Sequence, residues 1–435
     1  MAFGKVFSDA WDHATDTAKQ AVTAAMDSME SAANLALDAA DAVQVTIEKA
    51  KNAVLDKILH SYQTAKQQFP VSLASDAAIQ SCGSLAATAE NMPPLAQELI
   101  RAVNNGASKQ EMLNILNSGT TKKQRREARQ AIATNASSKA PKTAERFSQD
   151  MDGAEKAMLS DHIYTLDKPA DKLDDRRQEL AEDFEKDSGW SMASPEQLND
   201  LGIDPLDLII DETNFRAQVY IPDPAVFGPN AKAVLIFRGT ESGSDWTQAN
   251  IPQGINRDSA YYERAVRLGK KLKKDPPLPI EIAGHSLGGG LASAASKAAD
   301  LLATTFNSAG LHKETVERYG VKRANQGSDD NITRYRIDGE LLTFLQEDIP
   351  LVSLFAPDAI GNTTHNLPKP KSLTMEALGA STTLGLGFGV GGASAGYAAV
   401  KGKEKFDLHG MDMMREGIEE RKVADLHSLA QQFNL

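Results

Sequence analysis

A serine hydroxyl becomes a competent nucleophile only when a neighbouring base takes its proton, and imidazole is the side chain whose pKa suits that exchange. Ser286 stands in Gly284-His285-Ser286-Leu287-Gly288, a G-x-S-x-G pattern, and four histidines follow it: His312, His365, His409 and His427. A carboxylate must then hold the imidazole tautomer and balance its charge. Asp338, Glu340 and Asp358 lie between Ser286 and His409. Serine, then acid, then histidine is the chain order of one kind of nucleophilic acyl-transfer site. His312 comes too early for that order. His365 lies in Asn362-Thr363-Thr364-His365-Asn366-Leu367-Pro368, which looks like a loop, whereas His409 precedes a helix from which a base can hang over the serine.

The elements around these residues fit the chemistry. Ile280–Ala283 has the pattern of a buried strand, and the Ala- and Leu-rich stretch Leu291–Leu302 that of a helix. Between them the turn must be sharp, so only glycine-sized neighbours at 284 and 288 let strand and helix approach. The Leu287 N–H, at the helix start, then points where an oxyanion would develop. Val234–Phe237 is a second buried strand, ending in Arg238-Gly239-Thr240. The Thr240 N–H is placed to complete the oxyanion hole. His285 is expected to pack, and Arg238 to anchor the oxyanion turn by hydrogen bonds. Ile332–Ile337 alternates as the last clear strand, and an acid just past it makes Asp338 the nearest candidate. Strands separated by helical segments predict an α/β fold with a mostly parallel sheet.

Phe237-Arg238-Gly239-Thr240, Asp245-Trp246 and Gly284-His285-Ser286-Leu287-Gly288-Gly289-Gly290 together resemble the class 3 lipases. Within that group, Thr305-Phe306-Asn307-Ser308-Ala309-Gly310 is most similar to bacterial phospholipases A1 exported without a signal peptide, antibacterial effectors among them. The resemblance covers residues 213–425 and implies an α/β-hydrolase fold. It implies Glu340 as the acid, at the position where fungal members carry aspartate, with Asp338 as the alternative. Related phospholipases also carry a histidine like His409 before a helix ending in Gly-Ile-Glu, here Gly417-Ile418-Glu419. A lid is implied near 241–256, where Asp245 and Trp246 would order the loop. The activity implied is hydrolysis of glycerophospholipid acyl esters at a phospholipid membrane, without metal or cofactor. A neutralising immunity protein and a secretion-system component are the partners implied. Two readings compete: a membrane-perturbing helical toxin carrying the hydrolase as scaffold, and a neutral-lipid or short-ester hydrolase.

Length and charge bound the rest. The 435 residues exceed one core, and the net charge is −12. Residues 150–212 hold 19 acidic and 6 basic side chains and carry the whole excess. An acidic chain is a poor partner for nucleic acid. A single cysteine, Cys82, excludes an intramolecular disulfide. The stretch Met1–Asp16 has no uncharged apolar core, so no signal peptide is expected. The protein is then made in the cytoplasm and exported by a route other than the general secretory one. Three modules are expected: an all-helical one over 1–150, an acidic helical connector over 151–212 and the hydrolase over 213–435.

Within the first module, apolar residues recur at helical spacing from Phe7 to Ile58, as a packed bundle or a membrane-active arm. Lys122, Lys123, Arg125, Arg126 and Arg129 form a basic cluster, either a solvated helix face or a patch for an acidic surface. The connector predicts an exposed helix ending at Gly189 and a short helix capped by Ser194. Residues 377–400 carry no charge and are rich in glycine. They are read as an interfacial loop, a small-residue hairpin or a membrane span.

Overall fold

The protein is described by a computed structural model over residues 89–166, 168–210, 213–239, 259–272, 278–338, 359–370 and 409–433. The expected N-terminal helices, Cys82, the lid region and residues 377–400 fall outside these. Ser81–Leu435 form one compact unit.

Seven strands make one sheet in chain order: β1 (Trp190–Met192), β2 (Ala217–Pro222), β3 (Ala233–Phe237), β4 (Ile280–His285), β5 (Ala303–Phe306), β6 (Ile332–Ile337) and β7 (Thr363–Leu367). β1–β2 and β2–β3 pair antiparallel, and β3 through β7 run parallel. The mostly parallel α/β sheet expected from the sequence is present. Side chains alternate across it. Ala233, Leu235 and Phe237 pack with the Ala260–Leu272 and Leu287–Ala299 helices, while Val234 and Ile236 face the opposite layer.

Right-handed crossovers that add parallel strands in one direction leave their helices on one face. The other face is covered from outside that series. Before the sheet come α1 (Pro94–Asn104), α2 (Lys109–Asn117), α3 (Lys122–Ala136), α4 (Pro141–His162) and α5 (Asp175–Asp187). Within it lie α6 (Ala260–Leu272) and α7 (Leu287–Ala299), and α8 (Met411–Ala430) ends the chain's described part. α4 and α8 lie against each other and supply Ala157, Leu159, Met414 and Ile418 to the second face. The far half of α8 gives Val423, Leu426 and Leu429 to a core shared with α1, α2 and α3.

Local chemistry sets several helix starts. Ser108 with Glu111, Thr121 with Gln124 and Ser194 with Gln197 form capping boxes, each satisfying two backbone donors that a helix end leaves open. Glu281 interrupts the apolar run of β4. It is buried, and both Lys156 of α4 and Lys232 hydrogen-bond its carboxylate.

The structure departs from the sequence expectations at particular places. His365 is in a strand, not a loop: β7 pairs with β6 in register, Tyr335 opposite His365. Its polar, half-exposed residues gave no apolar signal. After His312 the chain makes only a single helical turn, Thr315–Arg318. The strand β1 follows directly where the acidic helix ends. The boundary drawn at residue 150 falls inside α4, whose Asp150 is fully buried against Arg421 of α8.

Candidate active site

β4 ends at His285 and α7 begins at Leu287, so Ser286 makes the whole turn. Its backbone sits at φ 58°, ψ −126°, a strained region for a residue with a Cβ. The bonds around it hold that strain. The Ser286 N–H donates to Phe306 O at 3.0 Å, and its carbonyl accepts from the N–H groups of Gly289 and Ala309, each at 2.9 Å. The flanking glycines are there for space. A Cβ at Gly284 would collide with the Gly288 carbonyl, and one at Gly288 with the Phe237 carbonyl.

Of the four histidines after the serine, His409 is the one at its hydroxyl: Nε2 lies 2.8 Å from Ser286 Oγ. His365 is buried and stacks on Tyr335, ring centroids 4.5 Å apart. Burial, reinforced by Arg421, holds its imidazole below the ordinary range. His427 Nε2 meets Ala107 O at 3.1 Å, and His312 Nδ1 accepts from the Glu314 N–H at 3.3 Å.

His409 is fixed through its backbone. Its carbonyl accepts from His285 Nε2 at 2.7 Å and from Asn307 Nδ2 at 3.2 Å. Since a carbonyl only accepts, His285 must carry its proton on Nε2, which leaves Nδ1 to accept. Tyr164 supplies that proton: its hydroxyl lies 3.0 Å from His285 Nδ1 and itself accepts from the Gly239 N–H at 2.9 Å. A chain of hydrogen bonds therefore runs from the turn after β3, through Tyr164 and His285, to the backbone of His409. His285 packs, as expected, and also donates to the residue that meets the serine.

Asn307, at φ 39° just past β5, donates to His409 and accepts from the Ile337 N–H at 3.1 Å. One side chain thus links β5, β6 and the start of α8. Neither Tyr164 nor Asn307 was picked out as a site residue from sequence. Asn307 lies in the Thr305–Gly310 stretch that carried the family resemblance. Tyr164 carried no signal, being 121 residues from its imidazole partner.

Leu287 is the first residue of α7, so its N–H belongs to the turn whose donors have no partner within the helix. The helix dipole adds partial positive charge there. Arg238 is buried, with its guanidinium donating to Asn214 O at 2.8 Å and its N–H to Arg216 O at 3.0 Å. These bonds anchor the turn ahead of Gly239. Asp338 follows β6 directly, exposed, with its N–H on Leu367 O at 3.2 Å. Thr240, Asp245, Trp246, Glu340 and Asp358 lie outside the described residues. Among the described residues, no group of three His, Cys, Asp or Glu side chains could hold a metal ion.

With this geometry in place, the comparisons with known proteins are specific. The Tle-like phospholipase domain, a phospholipase-like family, matches residues 155–386, just over half of the chain. The chain belongs to this family. The matched span includes Tyr164, Gly239, His285, Ser286 and Asn307, while His409 lies beyond it. The chain is also 34% identical over 194 residues to the extracellular phospholipase A1 of Serratia liquefaciens. That alignment covers 44% of this chain and 56% of the relative, so it spans little more than half of that protein's length. Ser286 is nearly enclosed, at 6% exposed. No described helix is long and apolar enough to cross a membrane.

Proposed function

We propose that this Tle-like phospholipase-family chain is a serine carboxylic-ester hydrolase of the phospholipase A1 type, acting on glycerophospholipids. The observation that carries the reading is His409 Nε2 at 2.8 Å from Ser286 Oγ, on a strained strand-to-helix turn. In the proposed mechanism His409 takes the hydroxyl proton as Oγ attacks the ester carbonyl. The Leu287 and Thr240 N–H groups hold the oxyanion, and Glu340, or Asp338 in its place, balances the imidazolium. Collapse of the tetrahedral species breaks the ester bond, with His409 returning the proton to the leaving glycerol oxygen. Water then hydrolyses the acyl-enzyme by the same route. No metal or organic cofactor takes part.

The Serratia relative is named as an extracellular phospholipase A1. We extend that to an exported effector acting on target-cell membranes, restrained in its maker by an immunity protein and delivered through a non-Sec secretion system.

Hydrolysis of a phospholipid with distinguishable sn-1 and sn-2 chains tests the activity. Release of the sn-1 chain by the wild type and its loss in Ser286→Ala, with the fold unchanged by circular dichroism, are expected. Near-wild-type turnover by Ser286→Ala would remove the serine mechanism. Full toxicity of an inactive Ser286→Ala protein would instead favour a membrane-perturbing action.

A further inference from the structure

His409 hangs from a helix start that has no lock of its own. α8 begins at Met411 on Gly410, and no side chain caps it. The open donors of its first turn therefore do nothing to fix its place. α8 lies instead against α4, and charge is concentrated along that contact. Arg146 and Asp150 are one turn apart on α4, and Asp161 lies about three turns further along the same face. α8 answers in reverse order with Asp425, Arg421 and Arg415. Arg146 grips Asp425 through two bonds, at 2.5 and 2.8 Å, and Arg421 grips Asp150 through two at 2.7 Å. The third rung is single: Arg415 Nη1 donates to Asp161 Oδ2 at 2.8 Å.

All three carboxylates are buried. The signs are mixed along each helix, with α4 supplying one arginine and two aspartates. Sliding α8 by one turn would set Asp425 against Asp150, or Arg421 against Arg146. Apolar contact is non-directional and tolerates such a slide, whereas a buried charge facing its like does not. The rungs thus fix the register of α8, and the Arg415 rung stands nearest to His409. Asp161 has a second partner, Arg176 of α5, through bonds at 2.6 and 3.1 Å. Burial opposes the charge of Asp161, but the two guanidiniums outweigh it and hold the carboxyl below its ordinary range. With Arg176 in place, Asp161 keeps a counter-ion whether or not Arg415 is there. What Arg415 adds is a tie between the start of α8 and the end of α4. Three residues past Asp161, Tyr164 reaches the His409 carbonyl by way of His285. The end of α4 therefore holds the base by two routes.

We propose that Arg415 is a positioning residue for ester hydrolysis, holding the first turn of α8, and with it His409, in register against Ser286. It acts through Asp161 and not on the substrate. This role rests on the serine–histidine reading of the site.

Steady-state hydrolysis of p-nitrophenyl butyrate by the full chain tests it, using Arg415→Gln, Arg415→Lys, Arg146→Gln and Ser286→Ala, each corrected for folded fraction by urea unfolding. The Arg415 side chain is 34% exposed and its loss leaves Asp161 on Arg176, so Arg415→Gln should fold. Its kcat should fall roughly 10- to 100-fold with KM unchanged, the scale of a reacting group displaced by about 1 Å. Arg415→Lys keeps the charge and loses the fork, so its kcat should lie between those of Arg415→Gln and the wild type. Arg146→Gln strips the buried Asp425 of its partner at the rung furthest from His409. With the two other rungs intact, it should lower the unfolding midpoint more than Arg415→Gln does, at a near wild-type kcat. A wild-type kcat in folded Arg415→Gln, or in Arg415→Lys should the glutamine variant fail to fold, would overturn the proposal. So would a raised KM at unchanged kcat, which would make Arg415 a substrate contact. Equal kcat losses in Arg146→Gln and Arg415→Gln would reduce the effect to a general loosening of α8 and overturn it as well. Full turnover by Ser286→Ala would instead sink the serine reading. Its loss there, beside a wild-type kcat in Arg415→Gln, would sink the positioning role alone.

Discussion

Tyr164→Phe removes one oxygen and leaves the ring that fills the space. In the native protein that oxygen accepts from the Gly239 N–H and donates to His285 Nδ1, both in buried surroundings. Each of these two lost hydrogen bonds costs about 1–3 kcal/mol, so the folded state should lose roughly 2–6 kcal/mol. The catalytic effect is separate. Without Tyr164, the buried Nδ1 of His285 has lost this donor and the ring one of its anchors, which loosens the 2.7 Å bond from Nε2 to the His409 carbonyl. Asn307 then holds the His409 backbone through its 3.2 Å bond. Displacement of a reacting group by about 1 Å costs up to about 10²-fold in rate. A kcat lowered about 10- to 100-fold, with KM nearly unchanged, is therefore expected on a soluble short-chain ester. Urea unfolding gives the stability change, and a double-mutant cycle with His285→Asn tests the chain itself. If Tyr164 acts through His285, the second substitution adds little to the first. Additive losses in kcat, or a wild-type kcat in a folded Tyr164→Phe protein, would refute the reasoning.

Glu340→Gln should cost more activity than Asp338→Asn, by about 10²-fold or more if the imidazole tautomer is lost, and the reverse ranking would make Asp338 the acid. Gly239→Ala should destabilise the protein and reduce kcat, because the new Cβ would collide with the Tyr164 hydroxyl and the His285 carbonyl; wild-type turnover and unfolding midpoint would contradict this. His162 is stacked on Phe184 at 3.7 Å, and burial lowers its pKa to about 4, against about 6.5 when unfolded. Between those values the unfolded chain binds the extra proton, so stability falls as pH drops from about 6.5 to about 4, by roughly 3 kcal/mol at most. Urea unfolding across that window should show the slope in the wild type and a flatter one in His162→Phe; equal slopes would assign the effect to other groups.

The sequence by itself determined the elbow. Everything the turn at Ser286 needs lies within a few residues: a buried strand before it, small residues at 284 and 288, a helix after it. The buried run of β3, the alternation of β6 and a mostly parallel sheet were legible for the same reason, since apolar runs, alternation and turn residues are local properties. His409 was legible through chain order and resemblance. Its contacts were not. The carbonyl that fixes it is held by His285 and Asn307, from two different strand ends, and His285 is held in turn by Tyr164 from just past α4. No spacing encodes such partners, because they meet only when β3, β4 and β5 stand side by side. β7 was hidden for a related reason: its polar residues become a strand by hydrogen bonding to β6, which local pattern does not report. The covering of the sheet's second face was likewise decided in three dimensions. Crossovers of one hand leave that face bare, and burying it required α4 from before the sheet and α8 from after it to pack together.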